Sequence, residues 1–159
     1  MNAPTFSYAG FWKRFLAYII DSLVLSIVSF VLMIPFFIIV GVGAFSSASD
    51  YNEPASAGVL AALLGGYILV AILIVLLAGW LYFALMESSS KGATLGKMAL
   101  GIRVTDMMGN RVTFGRATGR YFGKLISGLI LYIGYIMAGF TQQKQALHDI
   151  MAGCLVINK

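Results

Sequence analysis

The sequence predicts an all-α integral membrane protein, and its composition and apolar stretches are the basis of that prediction. Of its 159 residues, 60% are hydrophobic and only 11% are charged, which is outside the usual range of soluble globular chains. Residues 15–42 and residues 58–86 are each long enough to cross a bilayer as one helix. Residues 121–140 form a third apolar stretch. We therefore expect a single transmembrane domain over residues 1–159.

The first predicted helix contains an acid within its apolar run, and Pro35 is its expected kink. A charge at the centre of a membrane helix costs about 2.5–3.5 kcal/mol on insertion scales, so Asp21 is expected to have a partner or a task. Arg14 lies two helical turns earlier on the same face, and Tyr18 lies between them, in reach to donate its hydroxyl to Asp21. This run is about twice the length of a signal-peptide core, so we expect it to remain as an uncleaved anchor.

The basic residues predict the orientation of the helices. Residues 44–57, between the two long helices, contain no lysine or arginine. Seven of the eleven basic residues lie within residues 87–124, directly after the second helix: Lys91, Lys97, Arg103, Arg111, Arg116, Arg120 and Lys124. By the positive-inside rule, the N-terminus and the basic segment (about residues 87–118) are cytoplasmic.

Two alternating stretches within the basic segment predict a small cytoplasmic β-hairpin. Residues 101–106 and 111–114 each alternate apolar and polar side chains, and Met107-Met-Gly-Asn110 separates them. Residues 154–158 are a candidate third strand, which requires a cytoplasmic C-terminus.

The third apolar segment, about residues 119–140, has two interpretations. A single crossing places the C-terminal segment, residues 141–159, outside. A helical hairpin broken near Gly128 and Gly134 keeps that segment inside, and we favour it. The preceding helix has small residues every fourth position, a pattern typical of close helix packing and a candidate oligomer interface: Gly115, Gly119, Gly123 and Ser127.

Catalytic, metal and cofactor sites are not predicted. Cys154 and His148 are the only cysteine and histidine, so cysteine clusters, most zinc sites and histidine-based triads are excluded. We find no nucleophile–base pair and expect a protein that is not an enzyme. The basic residues flank apolar spans, which argues against nucleic acid as a partner.

Two neighbouring residues near the C-terminus complete the candidate site. Asp149 is either a helix N-cap or a functional acid. His148 is either a packing residue, the interpretation we favour, or a proton carrier near neutral pH. Considered by itself, Arg14 is explained simply as a basic residue whose side chain reaches the lipid headgroups.

Taken together, these residues resemble the RDD family of bacterial multi-pass membrane proteins, named for one arginine and two aspartates. Arg14, Asp21 and Asp149 match the three naming positions. Residues 94–104 are similar to the family's T-L-G-K-x-x-x-G-x-x-V segment, and Gln145–Gly153 to its LHD-x-x-AG surroundings. The resemblance implies a location in the bacterial cytoplasmic membrane and a suspected role in transport, with sodium/proton antiport associated with some members.

Two functions are compatible with these observations. The first is membrane transport by an oligomer, with small cation/proton exchange of Na⁺ or H⁺ at a buried Arg14–Asp21–Asp149 site. The second is a non-transporting adaptor or assembly partner of another membrane protein, in which the same three residues form a structural clasp. In both, the bilayer is the surrounding partner.

Overall fold

A computed structural model describes residues 6–48, 55–131 and 133–159 of the chain. The chain divides into two compact units. One is Val24–Gly79, and the other combines Met1–Leu23 with Trp80–Lys159. All the candidate functional residues belong to the second unit.

Two long helices confirm the predicted fold class. Helix α1 is Phe11–Ala48 and helix α2 is Ala55–Glu87. Within them, Phe11–Gly43 and Ala61–Glu87 are long and apolar enough to span a membrane. Both helices extend beyond the predicted boundaries at each end. Residues 49–54, the centre of the predicted loop, lie outside the described residues.

The Val24–Gly79 unit is the apolar part of both helices. The rings of Phe37 and Tyr67 are 5.4 Å apart between centroids, and the Leu63 side chain packs beside Gly43. Large apolar side chains such as Ile27 and Phe30 stay exposed, which is expected where lipid is the solvent.

A two-stranded antiparallel sheet pairs β1, Ile102–Asp106, with β2, Cys154–Asn158. The prediction of strands at both places is confirmed, but the predicted hairpin partner, residues 111–114, is wrong. That segment is not a strand because it starts the next helix, where the Thr113 side chain accepts the Arg116 N–H. β1 ends in a turn. The backbone N–H groups of Met108 and Asn110 in this turn donate to the Asp106 carboxylate.

Backbone hydrogen bonds join the N-terminal segment to this sheet. The Ala9 N–H donates to the Val156 carbonyl at 2.9 Å, and the Asn158 N–H donates to the Ser7 carbonyl at 2.8 Å. The residues before α1, the strand after α2 and the C-terminal strand are thus in direct contact. Since no bilayer can lie between hydrogen-bonded segments, all three are on one side of the membrane.

The third apolar segment is broken rather than straight. Helix α4 is Phe114–Leu129, α5 is Ile133–Ile136, and a 3₁₀ turn covers Met137–Gly139. The two arms are bent by 117°. Helix α6, Leu147–Ala152, then packs against α4 before β2. Because β1 and β2 share one side, the segment returns to the side where it began, as the hairpin interpretation requires.

Short helices complete the second unit, and a close approach at Gly134 determines how α5 packs against α4. Helix α3 is Leu95–Ala99. A Cβ added at Gly134 would lie 2.7 Å from the Cβ of Ser127. Only glycine therefore allows α5 to lie against α4 at this point.

Candidate functional site

Five helices each supply at least one charged side chain to one buried cluster. Arg14 lies in the first turn of α1, Glu87 ends α2, Asp149 lies in the first turn of α6, and Arg120 lies in the middle of α4. A charge at the end of a membrane helix is cheaper to bury than one at its centre. We call the following set the ion cluster: Arg14, Glu87, Lys97, Arg120, Lys124 and Asp149.

Asp149 is fully buried and shared by two arginines. Arg14 Nη1 donates to Asp149 Oδ2, and Arg120 Nε donates to Oδ1 at 2.7 Å. The Ala146 N–H also donates to Oδ2, at 3.1 Å. Although burial acts in the opposite direction, the neighbouring Arg120 and Arg14 charges hold the pKa of Asp149 well below its ordinary value. Asp149 is therefore a carboxylate at neutral pH.

Glu87 is the second carboxylate of the cluster and accepts hydrogen bonds from three cationic side chains. Arg120 Nη1 donates to it at 2.8 Å, Lys124 Nζ donates at 3.3 Å, and Lys97 Nζ also donates. Burial lowers the pKa of Lys97 to about 7, even though Glu87 favours its charged form. Lys97 thus changes its protonation state near neutral pH.

Asp21 is 1% exposed, and its carboxylate accepts hydrogen bonds from neutral donors. The Tyr82 hydroxyl donates to Oδ1 at 2.7 Å, Thr94 Oγ1 donates to Oδ2 at 2.6 Å, and the Gly96 N–H donates to Oδ1 at 2.7 Å. In the described part of the chain, Asp21 makes no ion pair. Among the described residues, its hydrogen bonds thus come from two hydroxyl groups and one backbone N–H.

The partners of Asp21 differ from those predicted from the sequence. The structure pairs Arg14 with Asp149 and not with Asp21, so the two aspartates have separate partners. The donating hydroxyl comes from Tyr82, whereas Tyr18 is 55% exposed. Tyr18 lines the same cavity as Asp21, but among the described residues the hydrogen bonds to Asp21 come from Tyr82, Thr94 and Gly96.

Gly96 explains how α3 reaches Asp21. A Cβ at Gly96 would clash with the Ala17 carbonyl oxygen and lie 3.0 Å from Asp21 Cγ. The T-L-G-K segment thus has a role at three positions: Thr94 and Gly96 donate to Asp21, and Lys97 pairs with Glu87. The sequence prediction did not assign site roles to these residues, although the motif was visible.

His148 is buried between α4 and α5. Its Nε2 lies 3.5 Å from Asp149 Oδ1, and its ring centroid is 5.2 Å from that of Tyr135. Burial lowers the pKa of His148 to about 3, so the side chain is neutral at physiological pH. This geometry agrees with the packing interpretation and gives no support to a proton carrier near neutrality.

The row of small residues on α4 has two roles. Gly123 and Ser127 pack inside the chain, against His148 and Gly134 respectively. Beside Gly115 and Gly119, the space for a Cβ is open. Only the second pair therefore keeps a face free for the predicted oligomer contact.

A cavity of about 350 Å³ lies beside Asp21 and the cationic side chains of the ion cluster. Asp21 and His148 line it together with four cationic side chains of the cluster: Arg14, Lys97, Arg120 and Lys124. Its other walls are mainly aromatic and aliphatic. Across residues 6–48, 55–131 and 133–159, no group of three histidine, cysteine or acidic residues is arranged to hold a metal ion.

The fold and this site define a multi-pass membrane protein with a buried ion cluster at one end of its spans. The chain belongs to the RDD family, whose model matches residues 8–153.

Two relatives from Bacillus subtilis (strain 168) are similar over nearly the whole chain. "Uncharacterized protein YxaI" is 37% identical over 151 residues, covering 95% of this chain and 97% of the relative. "Uncharacterized membrane protein YteJ" is 32% identical over 161 residues, covering 98% of this chain and 84% of the relative. No solved structure matches the chain.

The observed partners of Asp21 predict unequal effects for two tyrosine variants. Tyr82→Phe removes a hydroxyl bound to a buried carboxylate and is expected to lower the free energy of unfolding by about 1.5–3 kcal/mol. Tyr18→Phe, the matched control on the exposed face, is expected to change it by no more than about 0.5 kcal/mol. Denaturant unfolding of the detergent-solubilised protein measures both. Equal effects would contradict the assignment of Tyr82 as the donor.

Proposed function

We propose that the protein exchanges small cations for protons across the membrane and that Asp21 is its cation-binding group. The observation that supports this most is the state of Asp21. It is buried, it lines the cavity, and its described partners are neutral donors. A carboxylate without a paired cation leaves its charge for a mobile ion, and intramembrane acids commonly mark ion pathways.

Asp149 is less suited to this role than Asp21. Two guanidinium groups already donate to both of its oxygens, so an entering cation would meet positive charge on two sides. In the proposed mechanism, Asp149 and the two arginines keep α1, α4 and α6 in place around the cavity.

Lys97 supplies the proton-binding step of the proposal. Its Nζ pairs with Glu87, and its backbone adjoins Gly96, whose N–H binds Asp21. Four cationic side chains and Asp21 line the cavity, and Glu87 and Asp149 pair with those cations. If Lys97 releases its proton as a cation binds at Asp21, the total charge is unchanged. Exchange without a change in buried charge avoids the main electrostatic cost of moving an ion into this site.

Transport requires more spans than the two long helices provide, so the proposal includes a homo-oligomer. The open face at Gly115 and Gly119 is its candidate contact, because small residues allow helices to approach closely.

Proteoliposomes with a trapped pH indicator test this function. We expect Na⁺, Li⁺ or K⁺ gradients to drive proton movement in the native protein, and folded Asp21→Asn to lose that movement. Arg116→Gln, which removes an exposed cation of α4, is the matched control and should keep native flux. Absence of flux from the native protein with all three cations would contradict the proposal.

The pH dependence tests the role of Lys97 separately. Because its pKa is lowered to about 7, Lys97 is charged below that pH and neutral above it, so cation binding should increase as pH rises through 7. Lys97→Arg keeps its proton throughout this range and should remove the increase. A native profile that persists in Lys97→Arg would assign the proton step to another group.

A non-transporting assembly partner is the second candidate function. It is favoured by the fact that Asp21 joins α1 to the end of α2 and the start of α3. In that case the Arg14–Asp21–Asp149 set is a structural clasp. Its signature would be a lack of flux in the native protein, with Asp21→Asn reducing stability or the recovery of a bound membrane protein.

A further inference from the structure

The ion cluster leaves positive charge unmatched beside an apolar cavity. Glu87 and Asp149 are shared by two arginines and two lysines. The four cations and Asp21 line the cavity. Counting Glu87, Asp149 and Asp21, there are three carboxylates for four cationic side chains when Lys97 is protonated. One negative charge from a ligand would complete the balance.

Two buried polar atoms in the described part of the chain lack a hydrogen-bond partner and belong to residues that line this cavity. They are Arg14 Nη2 and His148 Nδ1. Arg14 Nη2 is a donor. His148 is neutral, and its Nε2 faces Asp149 Oδ1, so we assign the proton to Nε2 and an acceptor to Nδ1. A matching ligand offers an anionic oxygen to Arg14 and a hydroxyl to His148.

The walls of the cavity indicate that the ligand also has an apolar part. Phe11, Phe15, Tyr18 and Ile136 line it. Phe15 is 44% exposed and Tyr18 is 55% exposed, and both lie on the membrane-spanning part of α1. The cavity is therefore open towards lipid. Arg14 is near the start of this span, where basic side chains commonly meet lipid headgroups.

We propose that this cavity binds one anionic phospholipid whose headgroup is a hydroxyl-bearing phosphate ester, such as phosphatidylglycerol. Its phosphate oxygen accepts from Arg14, its hydroxyl donates to His148 Nδ1, and an acyl chain lies along Phe15 and Tyr18. Basic pockets at the ends of membrane helices are suited to acidic headgroups. The same headgroup chemistry occurs in soluble glycerol phosphate, but that molecule would leave the aromatic wall uncovered. This inference concerns the same cavity as the proposed cation site, but it is argued from Arg14, His148 and the aromatic wall, and its test does not measure cation flux.

Native mass spectrometry of the delipidated protein in detergent tests the proposal, with phosphatidylglycerol, phosphatidylcholine, glycerol 3-phosphate and inorganic phosphate as probes. We expect one phosphatidylglycerol to bind preferentially over phosphatidylcholine. Arg14→Gln should weaken that binding about tenfold because a charge-assisted hydrogen bond is lost. Arg116→Gln, an exposed cation away from the cavity, is the matched control.

A second variant keeps the test decisive if Arg14→Gln does not fold. Ile136→Trp places a larger side chain at the half-exposed wall of the cavity without altering a charge, and it should also weaken phosphatidylglycerol binding. Equal binding of the two lipids, or native affinity in both Arg14→Gln and Ile136→Trp, would overturn the proposal. Displacement of the lipid by glycerol 3-phosphate or inorganic phosphate at equal concentration would assign the site to a soluble phosphate and overturn its assignment to lipid.

Discussion

Arg120→Met is expected to lower the free energy of unfolding by about 3–5 kcal/mol, as found when one partner of a buried ion pair is removed. Arg120 is 2% exposed and bridges the two carboxylates of the cluster, Asp149 and Glu87. Without it, both acids remain buried with fewer donors. The loss is measured by denaturant unfolding in detergent, followed by intrinsic fluorescence.

The control for this prediction lies one turn earlier on the same helix. Arg116 is exposed, and Arg116→Met should change the free energy of unfolding by no more than about 0.5 kcal/mol. If both variants have similarly small effects, Arg120 does not support the cluster. A large effect in Arg116→Met would instead reveal a contact made by its exposed face.

Gly96→Ala is expected to destabilise the protein by at least about 3 kcal/mol, because overpacking is combined with loss of hydrogen bonds. The new Cβ would clash with the Ala17 carbonyl oxygen, which is backbone and cannot rotate away. Moving α3 away from α1 would also break the bonds from Thr94 and Gly96 to Asp21. This cost exceeds the helix-propensity gain of about 0.5–1 kcal/mol from replacing glycine by alanine.

An alanine variant at a matched glycine on α4 separates the effect of packing on stability from the effect of helix propensity. At Gly119 the space that the methyl group of an alanine would occupy is open, so Gly119→Ala should stabilise the isolated chain by about 0.5–1 kcal/mol. Thermal unfolding of both variants under the same detergent conditions compares them. A Gly96→Ala variant as stable as Gly119→Ala would mean that α3 does not approach α1 so closely.

Several features of the protein could be predicted from short stretches of sequence. The two spans follow from uninterrupted apolar length, which is a local property of residues 15–42 and 58–86. The importance of Asp21 follows from the cost of burying a carboxylate, whichever residue is its partner. Residues 154–158 were predicted as a strand from their composition, and the structure confirms that strand.

The hydrogen-bond partners could not be predicted in this way because they are far apart along the chain. Asp21 accepts from Tyr82 and Thr94, which are 61 and 73 positions away. The helical spacing of Arg14 and Tyr18 made them the obvious local partners of Asp21, but a longer-range contact competes with any local pair. Glu87 could not be assigned to the site from the sequence, because it is a single acid at the end of an apolar helix and belongs to no spaced pattern.

The sequence by itself determined that this is a membrane protein, which helices are long enough to span and that Asp21 is costly to bury. Only the tertiary structure decided that Arg14 pairs with Asp149, that Asp21 is stabilised by neutral donors, and that the C-terminus shares a side with the N-terminus. The physical reason is that hydrophobic length and burial cost are properties of each segment, whereas hydrogen-bond partners depend on how the segments pack. At Gly96, that packing depends on the absence of a single Cβ.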